Sequence, residues 1–230
     1  MEQKRSWCVS TLEELAKKLD LRTLCPDGNW IYTWSGISTR DEPVSAEQYL
    51  DFATHDLLDG DSDRHLVNAL TNAKRALHLR MEDVCVGFGF ASYGGPRSFP
   101  RMVEYISRVG VTAPRILTRL NQLRNQVEHE YLVPGRAEVE TFIDVTSLFA
   151  ASTQRWISRQ PSQIEMSQAV TIEGNTIILR SMTLSWEKGI ACLSFSGTDN
   201  TNFSQTATTE FRCHSAEFFL CTKLALEGDW

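Results

Sequence analysis

The apolar residues of this chain change their spacing once, near residue 162, and that change limits the folds open to it. Before this point hydrophobic positions return every three or four residues, and after it they return every second residue. The first spacing lines one face of an α-helix, and the second lines one face of a strand. Helices followed by strands, without alternation of the two, point to an α+β chain rather than a parallel α/β fold. The expected organisation is an N-terminal helix and loop extension over 1–44, an α-helical bundle over 45–161, and a small antiparallel β-sheet domain over 162–230.

Local signals give the elements. Ser10 with Glu13, and Ser45 with Gln48, have the spacing of capping boxes and predict a short helix over 10–21 and another from about 46. Between them Pro26, Gly28, Gly36 and Pro43 predict loop, with an extended piece at Trp30–Trp34. Tyr49, Leu50, Ala53 and Leu57 form a helical face, which the run Asp59-Gly60-Asp61-Ser62-Asp63 interrupts. Its alternating aspartates lack the glutamate that a calcium loop carries at its twelfth position, here Leu70, so they read as helix caps. Leu66, Leu70, Ala73, Leu77, Met81 and Val84 form a clean helical stripe. The glycine-rich stretch 85–98 reads as a flexible loop and lacks the Gly-Lys-Ser/Thr of a P-loop. Pro100 and Pro114 suit first helical turns, predicting helices to about Arg108 and Leu132, and Pro134-Gly135 ends the second. Val139, Ile143, Thr146, Phe149 and Trp156 mark a long helix over 136–159.

In the second part, Val170–Glu173 reads as a strand and Gly174-Asn175 as a hairpin turn. Ile178, Met182, Leu184 and Trp186 alternate with Leu179, Ser181, Thr183 and Ser185. Glu187-Lys188-Gly189 makes a second turn, with strands at Ile190–Ser196 and Thr206–Cys213. Phe218–Leu226 fits either a strand or a terminal helix, and the alternation favours strand.

No apolar run reaches the roughly 18–20 residues that span a bilayer. The polar start Met-Glu-Gln-Lys-Arg-Ser-Trp lacks a signal peptide's apolar stretch, so a cytoplasmic protein without membrane association is expected. Cysteines 8, 25, 85, 192, 213 and 221 are scattered and contain no CxxC pair, the pattern of reduced core thiols. No cofactor is implied: the histidines and cysteines have no metal-ligand spacing. The six tryptophans read as core and interface anchors.

Net charge is −6, but the arginines cluster. Residues 97–136 hold seven arginines (97, 101, 108, 115, 119, 124, 136) against three acids (104, 128, 130). A local basic stripe on an acidic chain can hold a short polyanion, although it also suits a solvated helix face. Within that stripe lies Arg124-Asn-Gln-Val-Glu-His-Glu-Tyr131. At about 100° per residue, Ile116, Leu120, Leu123, Val127 and Tyr131 share one arc, with Arg124 at its edge. Asn125 and His129 lie on the opposite side, four residues apart, where an amide could orient an imidazole. Arginine can neutralise a phosphate, and histidine moves protons near neutral pH. The alternative is structural: Arg124 pairs with Glu128 four residues on, His129 is a surface histidine, and Tyr131 packs in the core.

The pattern Arg124-Asn125-x-x-x-His129-x-Tyr131 resembles the R-x4-H-x-Y motif of the HEPN superfamily, over roughly residues 45–160. The helical stretch Asn68–His78 also looks like an early bundle helix of such proteins. The resemblance implies a helical bundle acting as a metal-independent endoribonuclease, in bacterial defence or a toxin system. It gives His129 the role of general acid or base and Arg124 that of stabilising phosphoryl charge, with Asn125 as the polar residue beside them. Arg108, Arg115 and Arg119 would bind RNA. It further implies a homodimer through the motif helices, an antitoxin or nucleotidyltransferase partner, and Tyr131 as a possible modification site. The alternative within the family is a non-catalytic module that binds a nucleotide, an RNA or a protein. The β-domain is not part of the minimal HEPN domain.

Overall fold

The computed structural model describes residues 9–24, 29–36, 43–111, 117, 122, 133–198 and 204–227. The chain divides into two units, one of Gly36–Gln160 and one that combines Met1–Ser35 with Pro161–Trp230. Among the described residues it is an α+β chain of helices and one five-stranded antiparallel sheet.

The helical unit contains α2 (Ala46–Asp59), α3 (Asp63–Gly87), the one-turn α4 (Phe90–Tyr93), α5 (Phe99–Val109) and α6 (Arg136–Ser158). Ser45 opens α2 with a full capping box, its Oγ accepting from Gln48 N while Gln48 Oε1 accepts from Ser45 N. The predicted stripe of α3 is buried throughout, from Leu66 to Val84, against α2 and α6. Pro100 occupies the first turn of α5, as expected. On α6, Val139, Ile143, Thr146, Phe149 and Trp156 are all buried. The Thr146 hydroxyl donates to Phe142 O at 2.8 Å, so this polar group costs little in the core.

Two expectations change here. The stretch 85–98 is not all loop, because α3 runs on to Gly87 and Phe90–Tyr93 adds a turn of helix. Burial of Phe88 and Phe90 holds that turn, and Tyr105 Oη donates to Phe88 O at 2.6 Å. Asp61 does not cap a helix but pairs with Arg136 at the start of α6, whose Nε also donates to Glu140 Oε1 at 2.8 Å.

The sheet unit begins with α1 (Val9–Lys17), a 3-10 turn (Leu21–Thr23) and β1 (Ile31–Ser35). It resumes with β2 (Gln160–Ile172), β3 (Asn175–Ser185), β4 (Ile190–Thr198), β5 (Ser204–Arg212) and α7 (Ala216–Glu227). Strand order is β1-β2-β3-β4-β5, so the N-terminal strand supplies an edge beside β2 and the helical unit is inserted between them in the chain.

The hairpin turn lies one residue earlier than expected. Ile172 pairs with Asn175, and the two central residues are Glu173 and Gly174, both with positive φ. Two positive φ values belong to the type I′ turn that matches strand twist. The alternation of β3 also breaks: Ile177 and Leu179 face the core, then Met182 and Leu184, because Arg180 is an extra residue opposite β4. A matching irregularity between Glu165 and Gln168 displaces β2 against β3.

The last segment is a helix, not the expected strand. Ser215 Oγ accepts from Phe218 N and starts it. Phe218, Phe219, Cys221, Thr222, Leu224, Ala225 and Leu226 are all buried, against β4, β5 and the 3-10 turn. A helix apolar nearly all round has no polar stripe to reveal its period. α1 packs on β5 and β4, and Gly197 of β4 makes room for it. A Cβ there would stand 2.9 Å from Leu12 Cδ2.

Candidate functional site

The arginine-rich region is described at its two ends. On α5, Arg101 lies over the Tyr93 ring at 5.1 Å, and its Nε and Nη2 donate to Gly94 O at 3.1 and 2.7 Å. This carbonyl follows the last turn of α4, so Arg101 caps that short helix. Gly95, at φ +85°, completes the bend, and a Cβ on it would meet the Arg101 guanidinium at 2.7 Å. Arg108, two turns along α5, donates from Nη1 to Tyr93 Oη at 2.8 Å and sits 5.7 Å from the ring centre. Tyr93 thus orders two guanidiniums, and it packs in turn on Tyr105 at 5.0 Å.

Arg97 is exposed, and among the described residues no carboxylate pairs with Arg97 or Arg101. An arginine without a carboxylate partner can act on an anion nearby. At the other end, Arg136 is already engaged by Asp61 and Glu140 and adds little to such a field. Of the residues singled out in the sequence, Arg108 therefore has a described position. Arg115, Arg119, Arg124, Asn125, His129 and Tyr131 lie outside the described residues.

A charged group the sequence reading passed over sits inside the helical unit. Arg80 of α3 is only 2% exposed. Its Nη2 donates to Glu47 of α2 and, at 2.9 Å, to Gln154 Oε1 of α6, while its Nε has no partner among the described residues. It ties three helices together with one side chain. The signal in the sequence was weak, because Arg80 neighbours the apolar stripe at Met81 without interrupting it.

The described cysteines suit packing rather than nucleophilic chemistry. Burial pushes the Cys85 thiol far up and the Cys221 thiol up to about 12, aided by Glu82 and Glu217 respectively. Cys192 and Cys213 are raised by the same desolvation. A protonated thiol is a poor nucleophile and metal ligand. Among the described residues no cluster of three or more His, Cys, Asp or Glu is placed to hold a metal ion. No described helix is long and apolar enough to cross a membrane. No family model, no curated protein and no solved structure matches this chain.

Proposed function

We propose that the chain is a metal-independent endoribonuclease built on a HEPN-like helical bundle. The observation that carries this reading is the motif Arg124-Asn125-x-x-x-His129-x-Tyr131, in the chain between α5 and α6 of the helical unit. Support also comes from α5, where Arg101 and Arg108 are held in fixed orientation by Tyr93.

In this reading the ribose 2′-hydroxyl attacks the adjacent phosphorus. His129 takes the hydroxyl proton or protonates the leaving 5′-oxygen, and the products are a 2′,3′-cyclic phosphate and a free 5′-hydroxyl. Arg124 stabilises the charge that grows on the non-bridging oxygens. Asn125 orients the imidazole, and Arg108, Arg115 and Arg119 hold the flanking phosphates. Two copies pair through the motif helices, so that each site is completed by the other. The chain acts in bacterial defence or a toxin system, with an antitoxin or nucleotidyltransferase as partner and Tyr131 as the residue modified.

Arg124 tests the assignment. Arg124→Lys keeps the charge and the stem but loses the planar fork that grips a phosphate. It is expected to keep the melting temperature of the wild type and to lose most RNA cleavage. A lysine variant that is both stable and fully active removes phosphate contact from the role of Arg124.

A further inference from the structure

The connection between α4 and α5 carries Arg97, and α5 itself carries Arg101 and Arg108. The last two are seven residues apart, which at about 100° per residue returns them to one side of the helix. Tyr93 lies against both guanidiniums, which stand 5.1 and 5.7 Å from its ring centre. Two hydrogen bonds to Gly94 O fix Arg101, and one to Tyr93 Oη fixes Arg108. These side chains are set before a ligand arrives, so binding loses little of their rotamer freedom.

The bonds to Gly94 O use Nε and Nη2 of Arg101, and among the described residues its Nη1 has no partner. Arg97 is exposed, and no carboxylate among the described residues pairs with it or with Arg101. The backbone beside them is bare. A Cβ on Gly94 would meet nothing within 4 Å, so that side of the loop is open to a ligand. A Cβ on Gly95 would strike the Arg101 guanidinium at 2.7 Å, so the cation lies directly over the loop. From Gly94 to Val109 these three arginines face one acid, the exposed Glu104, which stands about one turn from both Arg101 and Arg108.

We infer that Arg97, Arg101 and Arg108 form a seat for the phosphodiester backbone of a single-stranded nucleic acid. Guanidinium forks match the oxygens of a phosphate, and phosphate contacts position a strand without reading its sequence. Three cations along one helix and the loop leading into it suit a chain of repeated charges better than a single small anion. Tyr93 holds two of the cations in place, and Glu104 limits the attraction. The inference deepens the ribonuclease reading and rests on it only for taking the strand to be RNA.

The test is binding of a fluorescein-labelled oligodeoxythymidine to the full chain, read by fluorescence anisotropy over a range of salt. DNA lacks the 2′-hydroxyl, so this probe cannot be cut by internal attack, and its binding is measured apart from cleavage. The expected result is saturable binding that weakens with salt. Arg97→Gln and Arg101→Gln are each expected to weaken it by about tenfold at unchanged circular dichroism. Each should also lower the slope of log affinity against log salt by about 0.7, the value for one phosphate contact on a single strand. Glu104→Gln removes a repelling charge and is expected to tighten binding. If Arg101→Gln does not fold, the exposed Arg97→Gln and Glu104→Gln carry the comparison. No binding at low salt overturns the inference, and so does binding indifferent to the arginine substitutions. Equal binding of poly-glutamate also overturns it, because the surface would then take any acidic chain. Oligonucleotide binding with the expected losses, in a protein that cuts no RNA, would count against the ribonuclease reading and leave the seat standing.

Discussion

The Arg180 guanidinium binds Ser196 across the β3–β4 pair, its Nε 2.6 Å from the Ser196 hydroxyl oxygen. Arg180 is the extra residue of β3, and Ser196 lies opposite Ile178, just before the irregularity. On the other side Arg180 Nη1 donates to Ser167 Oγ at 3.3 Å, in the irregular part of β2. One side chain therefore links the two places where the ladder changes register. Arg180→Ala leaves the buried Ser196 hydroxyl without this donor. A loss of about 1 kcal/mol is expected in urea unfolding. In the Ser196→Ala background the same change is expected to cost less, because the two effects share one bond.

Arg80 and Glu47 should respond unequally to truncation. Glu47 is 54% exposed, so once alone it is rehydrated, whereas Arg80 is buried. Glu47→Ala leaves a buried cation with only Gln154 and is expected to cost about 2–4 kcal/mol. Arg80→Met, of similar length, removes the charge and is expected to be close to neutral. Chemical unfolding of the two variants checks the order. A larger loss in Arg80→Met would show that the pair is a net source of stability.

The buried thiols make stability depend on alkaline pH. Cys85 and Cys221 ionise in the folded chain only well above the ordinary value of 9.0, Cys221 at about 12. Their contribution is complete below the unfolded value and declines as pH rises from there towards the folded value. In that window each thiol removes about 1.4 kcal/mol per pH unit. Unfolding midpoints at pH 8 and 10 should therefore differ less for Cys221→Ala than for the wild type. In the folded wild type both thiols should resist iodoacetamide at pH 8 and react after unfolding.

The legible parts of the fold were those where one face is buried and the other is wet. The stripe of α3 and the face of α6 fall where the helical spacing put them, and Ser45 with Gln48 forms the expected box. α7 is ambiguous in the sequence because burial on nearly every side removes the polar positions that distinguish its period from a strand. The extra residue Arg180 shifts the alternation in mid-strand, so the buried set is Ile177, Leu179, Met182 and Leu184, which a strict period of two places on different faces. The place of β1 in the sheet depends on pairing with a strand more than a hundred residues away, which no local pattern carries. Of the candidate site, the sequence shows residue types and spacing. The partners of Arg108, and the role of Tyr93 in ordering it with Arg101, required coordinates.

The proposed assembly has its own consequence. A site shared between two copies predicts a two-fold dimer, the commonest symmetry of soluble assemblies. Light scattering at micromolar concentration should give twice the chain mass of 26.1 kDa. An active monomer would contradict pairing through the motif helices.

RNA cleavage by the purified chain in EDTA, compared with His129→Ala, tests the central claim most directly. The wild type should cut single-stranded RNA and leave 2′,3′-cyclic phosphate ends. His129→Ala should lose about a hundredfold or more of that rate, the usual contribution of a proton-transfer group, with an unchanged circular dichroism spectrum. Equal cleavage by the two proteins, or none by the wild type on any single-stranded RNA, would contradict the ribonuclease reading.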